Sequence, residues 1–205
     1  MKKIILAAVA VLVFGTVNAQ KAKFGIKAGL NLANQSFTGI FEPSTSATTG
    51  FNVGGFVAID VADKLVFQPE LLYSTQGSKF DQQIVIDGVN YVVATQFKLA
   101  YLNVPLMMKY YAAEKFSFEA GPQIGFLTSA KIKASYNGNS NEQDAKDGFK
   151  SIDFGVNFGL GYDFSKNISL GARYNLGLSN TADTDPGEDV KIKNNVFSIS
   201  LGYKF

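Results

Sequence analysis

The 205-residue sequence predicts an all-β fold: a closed, antiparallel, up-and-down transmembrane β-barrel of eight strands. Three observations predict it. Segments that alternate apolar residues with small or polar ones recur along the chain. The connections between these segments alternate between short turns and long polar stretches. The composition, with 20 Gly, 18 Phe and 9 Tyr, favours strands that have aromatic residues on one face and small residues on the other.

The N-terminal segment is expected to be a signal peptide that directs export through the general secretion pathway. Lys2 and Lys3 precede an apolar run over residues 4–17, and small residues ending at Ala19 form a cleavage site. We therefore expect residues 1–19 to be removed and residues 20–205 to form the barrel domain. No cysteine is present to carry a lipid anchor, so the fold itself must hold the protein in a membrane.

The first two strands are predicted at residues 24–32 and 51–61. Apolar residues occupy the even positions from Phe24 to Leu32 and the odd positions from Phe51 to Val61. Most of the positions between them are Gly, Asn or Ala. Such alternation places the apolar side chains of each strand on one face of the sheet.

Three middle strands are predicted at residues 65–74, 99–110 and 116–127. Each contains a proline, namely Pro69, Pro105 and Pro122. Proline lacks the N–H group that a strand ladder needs. We therefore expect a bulge or a locally unpaired position at each proline.

The last three strands, at residues 152–164, 168–178 and 197–205, show the clearest alternation. Seven apolar residues from Ile152 to Phe164 share one face, and Asp, Gly and Asn occupy the other. The other two segments repeat this pattern through Leu178 and through the C-terminal residue Phe205.

The connection lengths predict how the strands cross the membrane. Short turns are expected at residues 62–64, 112–114 and 165–167, and long loops at 34–50, 76–96, 130–150 and 180–194. Outer-membrane barrels have short periplasmic turns and longer external loops. Strand-like residues around Asp87-Gly88 suggest that strands three and four project beyond the bilayer as a ribbon. The alternative is that this ribbon supplies another strand pair in a ten-stranded barrel.

The residues of the polar face indicate a membrane environment. A soluble barrel would carry many Lys, Glu and Thr residues on its polar face, whereas here that face is mostly Gly, Ser and Asn. Small residues suit the crowded lumen of an eight-stranded barrel, and closure satisfies every backbone group inside hydrocarbon. The apolar face should therefore contact outer-membrane lipids.

A few charged residues fall on the lumen-facing side. Because both signs are present and unmatched buried charges are costly, we predict an ion-pair network that plugs the barrel. For Asp153 and Lys27, a solvated position at the barrel rim is an equally open alternative. The predicted network comprises Lys27, Glu70, Glu119, Asp153 and Arg173.

The composition argues against several other functions. With no histidine and no cysteine, the chain lacks the usual catalytic base and soft metal ligands, so we expect no enzyme activity and no cofactor. Without the signal peptide the 17 acidic residues balance the basic ones, which gives no reason to expect nucleic-acid binding. Four carboxylates in one loop make a weak calcium candidate, although a solvated loop is favoured; these are Asp183, Asp185, Glu188 and Asp189.

Two stretches carry resemblances to known proteins. The C-terminal segment, with Tyr203 and the terminal Phe205, resembles the assembly signal of outer-membrane barrels, with Ser200 where that pattern usually has Gly. This resemblance implies recognition by the barrel-assembly machinery. The blocks at residues 25–31, 67–73 and 101–110 resemble the PorT-like outer-membrane β-barrel family. That family implies either a secretion-system component or another barrel, similar in architecture to the membrane domain of outer membrane protein A.

The sequence alone therefore favours an integral outer-membrane barrel with a structural or interaction role. In this hypothesis polar side chains plug the lumen, the external loops form a contact surface, and a secretion or envelope complex is a candidate partner. A narrow channel for small solutes or ions is one alternative. A secreted, soluble, lipocalin-like ligand-binding barrel is another.

Overall fold

A computed structural model describes residues 22–39, 43–86, 89–184 and 190–205 of the chain. Over these residues the chain is almost entirely strand, with one short 3-10 turn at Lys146–Gly148. No helix in the described part is long and apolar enough to cross a membrane. The strands are β1 (Ala22–Gly39), β2 (Ser46–Ala62), β3 (Leu65–Ile86), β4 (Val89–Tyr111), β5 (Phe116–Tyr136), β6 (Asn139–Asp144), β7 (Ile152–Asp163), β8 (Ile168–Gly177) and β9 (Val190–Lys204).

The strands form a closed antiparallel ring with eight positions. Each strand pairs with its sequence neighbour, except that β6 and β7 share one position because both pair with β5. The ring closes between the first and last strands, from Gly25–Lys204 to Gly39–Val190. The prediction of an eight-stranded up-and-down barrel is confirmed.

The ten-stranded alternative is wrong. β3 and β4 continue to pair with each other from Gln82–Val93 to Ile86–Val89, beyond the part of β4 that pairs with β5, which ends at Ala94. This extension is a two-stranded ribbon of the same two strands, so it adds no position to the ring. The predicted turn residues Asp87 and Gly88 lie outside the described residues.

The apolar face of the barrel points outward. Phe158 is 54% exposed and Leu201 is 58% exposed, whereas the side chain of Arg173 in the lumen is only 10% exposed. A soluble barrel would have the opposite arrangement, because it buries its apolar face. This outward belt of aliphatic and aromatic side chains rules out the lipocalin-like alternative.

Several strands are much longer than the apolar alternation predicts. β3 spans 22 residues and β4 spans 23, so much of the sequence expected to form long loops is strand. Outside the bilayer the outward face no longer needs apolar side chains, so the alternation stops while the backbone ladder continues. In the predicted loop at 130–150 the chain forms a hairpin, with positive φ at Asn137 (50°) and Gly138 (82°).

The prolines interrupt pairing without shifting the register. Pairing between β3 and β4 stops at Pro69–Leu106 and resumes at Leu72–Asn103 in the same register. Pairing between β4 and β5 likewise stops at Pro105–Gln123 and resumes at Met108–Ala120 in the same register. The unpaired stretch of β5 contains Pro122. The missing N–H groups therefore leave short unpaired stretches, and the register shifts occur elsewhere.

The place in the ring that β6 and β7 share is interrupted, because residues 145–151 leave the barrel wall between these two strands. Backbone hydrogen bonds from Ala145 to Ala130 and from Leu127 to Ser151 bracket the interruption. Within it, Phe149 forms an isolated antiparallel bridge with Ala182 and is almost fully buried. The interruption thus carries an aromatic side chain into the barrel at the end where the long connections lie.

Candidate functional site

An ion-pair cluster lies in the lumen, in the half nearer the short turns. The Glu70 carboxylate has no exposed surface and accepts two hydrogen bonds from the Arg173 guanidinium, at 2.9 and 3.0 Å. It also accepts hydrogen bonds from Lys27 Nζ at 2.9 Å and Gln68 Nε2 at 2.8 Å. Arg173 donates in turn to Glu119 Oε2 at 2.8 Å. Strands from opposite sides of the ring are therefore joined through charged side chains.

Lys109 is a member of this cluster that the sequence reasoning missed. Its ammonium lies 2.9 Å from Glu119 Oε1, and both side chains are nearly buried. The pairing of Lys109 with Glu119 across β4 and β5 puts the two on the same face. The sequence contained the information needed to find Lys109. It lies six residues after Asn103 on the same strand, and an even spacing places both side chains on the same face. We define the ionic cluster as Lys27, Glu70, Lys109, Glu119 and Arg173.

Asp153 does not belong to this cluster, so its predicted place in the ion-pair network is wrong. It lies at the start of β7, six residues before Gly159, which pairs with both Glu119 and Arg173. Six strand residues span roughly 20 Å, which is too far for an ion pair. Instead its carboxylate accepts hydrogen bonds from Ser179 Oγ at 2.6 Å and Asn194 Nδ2 at 2.8 Å.

A layer of amide side chains lies above the ionic cluster, on the side of the long connections. Asn31 donates to Ser74 and accepts from Asn52, while Asn175 donates to Asn157. All of these side chains are buried or nearly so. Among the described residues the space between this layer and the ionic cluster is a cavity of about 40 Å³. The amides therefore pair in two groups on different parts of the wall, and side chains of both groups line this cavity.

Aromatic side chains form a cluster in the lumen at the far end. Phe97 contacts Phe37, Phe80 and Phe149, with ring centroids 5.7–6.0 Å apart. Buried aliphatic and tyrosyl side chains surround these rings, including Leu99, Leu127, Ile192 and Tyr101. We define the aromatic stopper as Phe37, Phe80, Phe97 and Phe149. Its apolar character was not predicted, because the sequence reasoning assumed a polar lumen throughout.

The opposite end of the lumen opens into a wide vestibule. Its volume is about 1330 Å³, and its lining includes the three short turns. Ala58 and Val66 line this space and pack with Phe56, which lies level with Glu70 of the ionic cluster. At the rim, Asp163 accepts a hydrogen bond from Tyr111 at 3.0 Å and from Lys204 at 2.9 Å. The vestibule reaches Gln68, which donates a hydrogen bond to Glu70 of the ionic cluster.

A glycine provides the space that the ionic cluster needs. A methyl group at Gly161 would lie 2.5 Å from Ser117 Oγ and 2.7 Å from Glu119 Oε1. Its partner across β7 and β8 is Gly171, where a methyl group would approach nothing closer than 3.8 Å. Only one of these paired glycines is therefore required for packing.

The other candidate residues that the structure describes lie at the barrel ends. Tyr203 and Phe205 point outward at the short-turn end, and their rings stack edge to face with centroids 5.5 Å apart. Of the calcium candidates, Asp183 is exposed, and Asp185, Glu188 and Asp189 lie outside the described residues. Within the described part no group of three potential metal-binding side chains is present.

A closed β-ring with an apolar outer belt and a charged, hydrogen-bonded interior defines an integral membrane barrel. Residues 18–183 match the family model described as the outer membrane protein beta-barrel domain. The chain belongs to this family, and it is an integral protein of the outer membrane. No curated protein matches it.

Two solved structures show the same fold. One is Ail, the attachment invasion locus protein of Yersinia pestis, in complex with the heparin analogue sucrose octasulfate, with a TM-score of 0.50 and 14% identity over 90% of this chain and 99% of that one. The other is Neisserial surface protein A, with a TM-score of 0.51 and 16% identity over 90% and 99%. These identities support the fold alone.

Proposed function

We propose that this protein is a closed, membrane-anchored barrel whose role is structural or interactive and whose contact surface is its long-loop end. The observation that carries this proposal is the filling of the lumen at successive levels by the ionic cluster, the amide layer and the aromatic stopper. A barrel filled in this way serves as an anchor.

The size of the remaining space supports the proposal. A water molecule needs at least about 10–15 Å³ of such volume, so the cavity of about 40 Å³ holds only a few waters. A hydrated ion or a small solute would have to displace the paired amides on one side and the ion pairs on the other. We therefore regard the narrow-channel alternative as the weaker hypothesis.

The proposed orientation follows from the two ends of the barrel. Outer-membrane barrels keep short turns in the periplasm and longer connections outside. By this rule the vestibule faces the periplasm, and the β3–β4 ribbon and the β5–β6 hairpin face the exterior. Every residue of β6 is exposed, which makes this hairpin an accessible part of the contact surface.

We propose further that the chain is not an enzyme and acts by binding. It contains no histidine, the commonest general base, and the buried carboxylates of the ionic cluster are held by cations or amides. The resemblance of residues 25–31, 67–73 and 101–110 to the PorT-like family supports a secretion or envelope complex as the partner.

Planar-bilayer recording tests the closed lumen. We expect the purified barrel to give no steady open-channel current, because the charged and aromatic layers block the path. A steady, large-channel current from folded protein would overturn the proposal and favour the channel. Mild crosslinking followed by pull-down from solubilised outer membranes tests the interaction role, which predicts a reproducible stoichiometric partner.

A further inference from the structure

A groove of about 300 Å³ lies across β2, β3, β4 and β5 on the outer surface of the barrel. It coincides with an irregularity of the wall, because β2 and β3 lose their pairing between Ala47–Ser78 and Asn52–Ser74 and shift register there. On the outward face of β3, Gly77 adds no side chain, and its φ of 146° disfavours any other residue. The local sequence thus builds a depression in an otherwise regular wall.

Hydrogen-bonding side chains form part of the groove lining, beside apolar residues such as Leu99 and Ala100. Gln96 Nε2 on β4 reaches across β3 to Thr48 Oγ1 on β2, at 3.0 Å. Thr49 is exposed beside it, and Thr75 also lines the groove. Hydroxyl and amide groups that both donate and accept hydrogen bonds suit a ligand rich in hydroxyl groups.

Two lysines provide positive charge at the same place. Lys98 and Lys131 are cross-strand partners that line the groove, and their side chains are 43% and 49% exposed. Glu142 on β6 bridges them, at 2.6 and 2.9 Å. Hydrogen bonds from both lysines lower the pKa of Glu142 to about 2, so the bridge is ionised at neutral pH. Each ammonium carries three N–H donors, and Glu142 accepts one from each.

The groove adjoins the edge of the apolar belt. Tyr73 lines it, and the ring of Tyr73 lies 6.0 Å from that of Phe51, which is also exposed on the outer surface. Aromatic side chains at this level mark the boundary between hydrocarbon and the polar headgroups. A ligand in the groove would therefore have apolar chains below it and polar groups above.

We propose that this groove binds the phosphorylated sugar headgroup of a lipid in the outer leaflet. Lys98 and Lys131 contact a phosphate, Thr48, Thr49 and Gln96 hydrogen-bond to sugar hydroxyls, and the acyl chains lie along the belt near Tyr73. The inference rests on the proposed orientation, because only then does the groove face the outer leaflet. A site made only to attach β6 to the barrel would need the Lys–Glu bridge but would not need the bare, hydroxyl-lined depression beside it.

Native mass spectrometry of the detergent-solubilised full barrel tests the site with three probes. The probes are a diphosphorylated lipid A, its fully dephosphorylated counterpart and inorganic phosphate. We expect saturable one-to-one binding of the first, much weaker binding of the second, and no competition by millimolar phosphate. Equal binding of both lipids, or displacement by free phosphate, would overturn the proposal.

Three variants localise the binding. The double variant Lys98→Gln/Lys131→Gln should weaken it about 30-fold, since each lysine at an anionic lipid surface contributes about fivefold. The matched control Lys23→Gln/Lys64→Gln removes two lysines near the short-turn end and should leave binding unchanged. Thr49→Phe, which fills the groove without changing charge, should also weaken binding. Unchanged binding in Lys98→Gln/Lys131→Gln or in Thr49→Phe would refute the site, with heat-modifiable gel migration verifying that each variant is folded.

The orientation is tested separately. The chain has no cysteine, so Asn137→Cys gives a single label site at the β5–β6 turn. We expect a membrane-impermeant maleimide to label it on intact cells. Absence of labelling would refute the orientation and the proposed function, whereas labelling without lipid binding would refute the groove alone.

Discussion

At the scale of single residues, the lumen is organised around two carboxylates. Glu70 and Glu119 together bind three cations, so each carboxylate accepts contacts from two different strands of the wall. A charge buried in this way is tolerable only while its partners are present, because the desolvation cost is not otherwise recovered. The contribution of each member therefore depends on the others.

Removing Glu70 should be strongly destabilising. Glu70→Ala leaves Lys27 and one edge of Arg173 without their carboxylate, and loss of one partner of a buried pair costs about 3–5 kcal/mol. The control Asp60→Ala breaks the exposed pair with Lys23, at 3.7 Å, and should cost less than about 1 kcal/mol. Reversible urea unfolding in lipid vesicles measures both. Similar costs for the two variants would contradict the assigned role of the ionic cluster.

The paired glycines of β7 and β8 should respond differently to a methyl group. Gly161→Ala pushes against Ser117 and Glu119, and such overpacking costs about 1–3 kcal/mol. Gly171→Ala meets only ordinary contacts, so its effect on stability should be small. Reversible urea unfolding compares the stability of the two variants. An equal effect at both positions would show that the Glu119 side chain can move away from the added methyl group without loss of stability.

At the scale of elements, the sequence predicts the membrane-spanning parts of the strands better than the parts beyond the bilayer. Period-two alternation locates segments such as residues 152–164 almost to the residue, because lipid on one face and a crowded lumen on the other impose opposite demands. Beyond the bilayer this contrast disappears, and the upper parts of β3 and β4 resemble polar loops. The Asn137-Gly138 dipeptide was nevertheless a readable hairpin signal that the sequence analysis passed over.

The candidate site was predictable to a similar extent. The alternation of side chains along each strand places four charged residues in the lumen, namely Lys27, Glu70, Glu119 and Arg173. Alternation does not give the height of a residue along the barrel axis. Asp153 was therefore grouped with charges that it cannot reach. Phe149 was not predictable by this route, since it lies in a segment that leaves the wall. Its inward position depends on tertiary packing against Phe97.

The interrupted segment between β6 and β7 should be held mainly by its aromatic side chain. Phe149→Ala removes a buried ring, a change that typically costs about 3–5 kcal/mol, while Phe149→Leu keeps most of the apolar volume and should cost far less. Hydrogen exchange at residues 145–151 and 180–183 should accelerate in the alanine variant only. Bilayer conductance should stay low in both, because the ionic cluster is untouched. An open channel in Phe149→Ala would show that the aromatic stopper is the sole barrier.

At the scale of the whole molecule, the barrel is closed by its last strand. β9 pairs with β1 over fifteen positions, and the backbone N–H of Phe205 donates to the carbonyl of Phe24 at 2.9 Å. Assembly is complete only when the C-terminal strand meets the N-terminal one. A signal read by the assembly machinery at this strand would thus act on the segment that closes the ring.

Replacing the terminal aromatic residue should impair assembly more than folding. Phe205→Ser should lower the amount of heat-modifiable barrel in outer membranes severalfold, because we expect the barrel-assembly machinery to recognise the C-terminal segment. Phe164→Ser is the matched control, since Phe164 is another exposed aromatic residue at the short-turn end. Both variants should refold in detergent to a similar extent. An equal loss of membrane-assembled protein in the two variants would indicate a general aromatic requirement and no terminal signal.

The tight turn at Asn137 and Gly138 gives the barrel a natural display point. A side chain added at Gly138 would meet nothing within 4 Å, and every residue of the adjoining strand β6 is exposed. In the proposed orientation, a foreign peptide epitope spliced between these two residues should appear on the cell surface without disturbing insertion. The same protein could then serve as a small carrier for antigens or affinity tags.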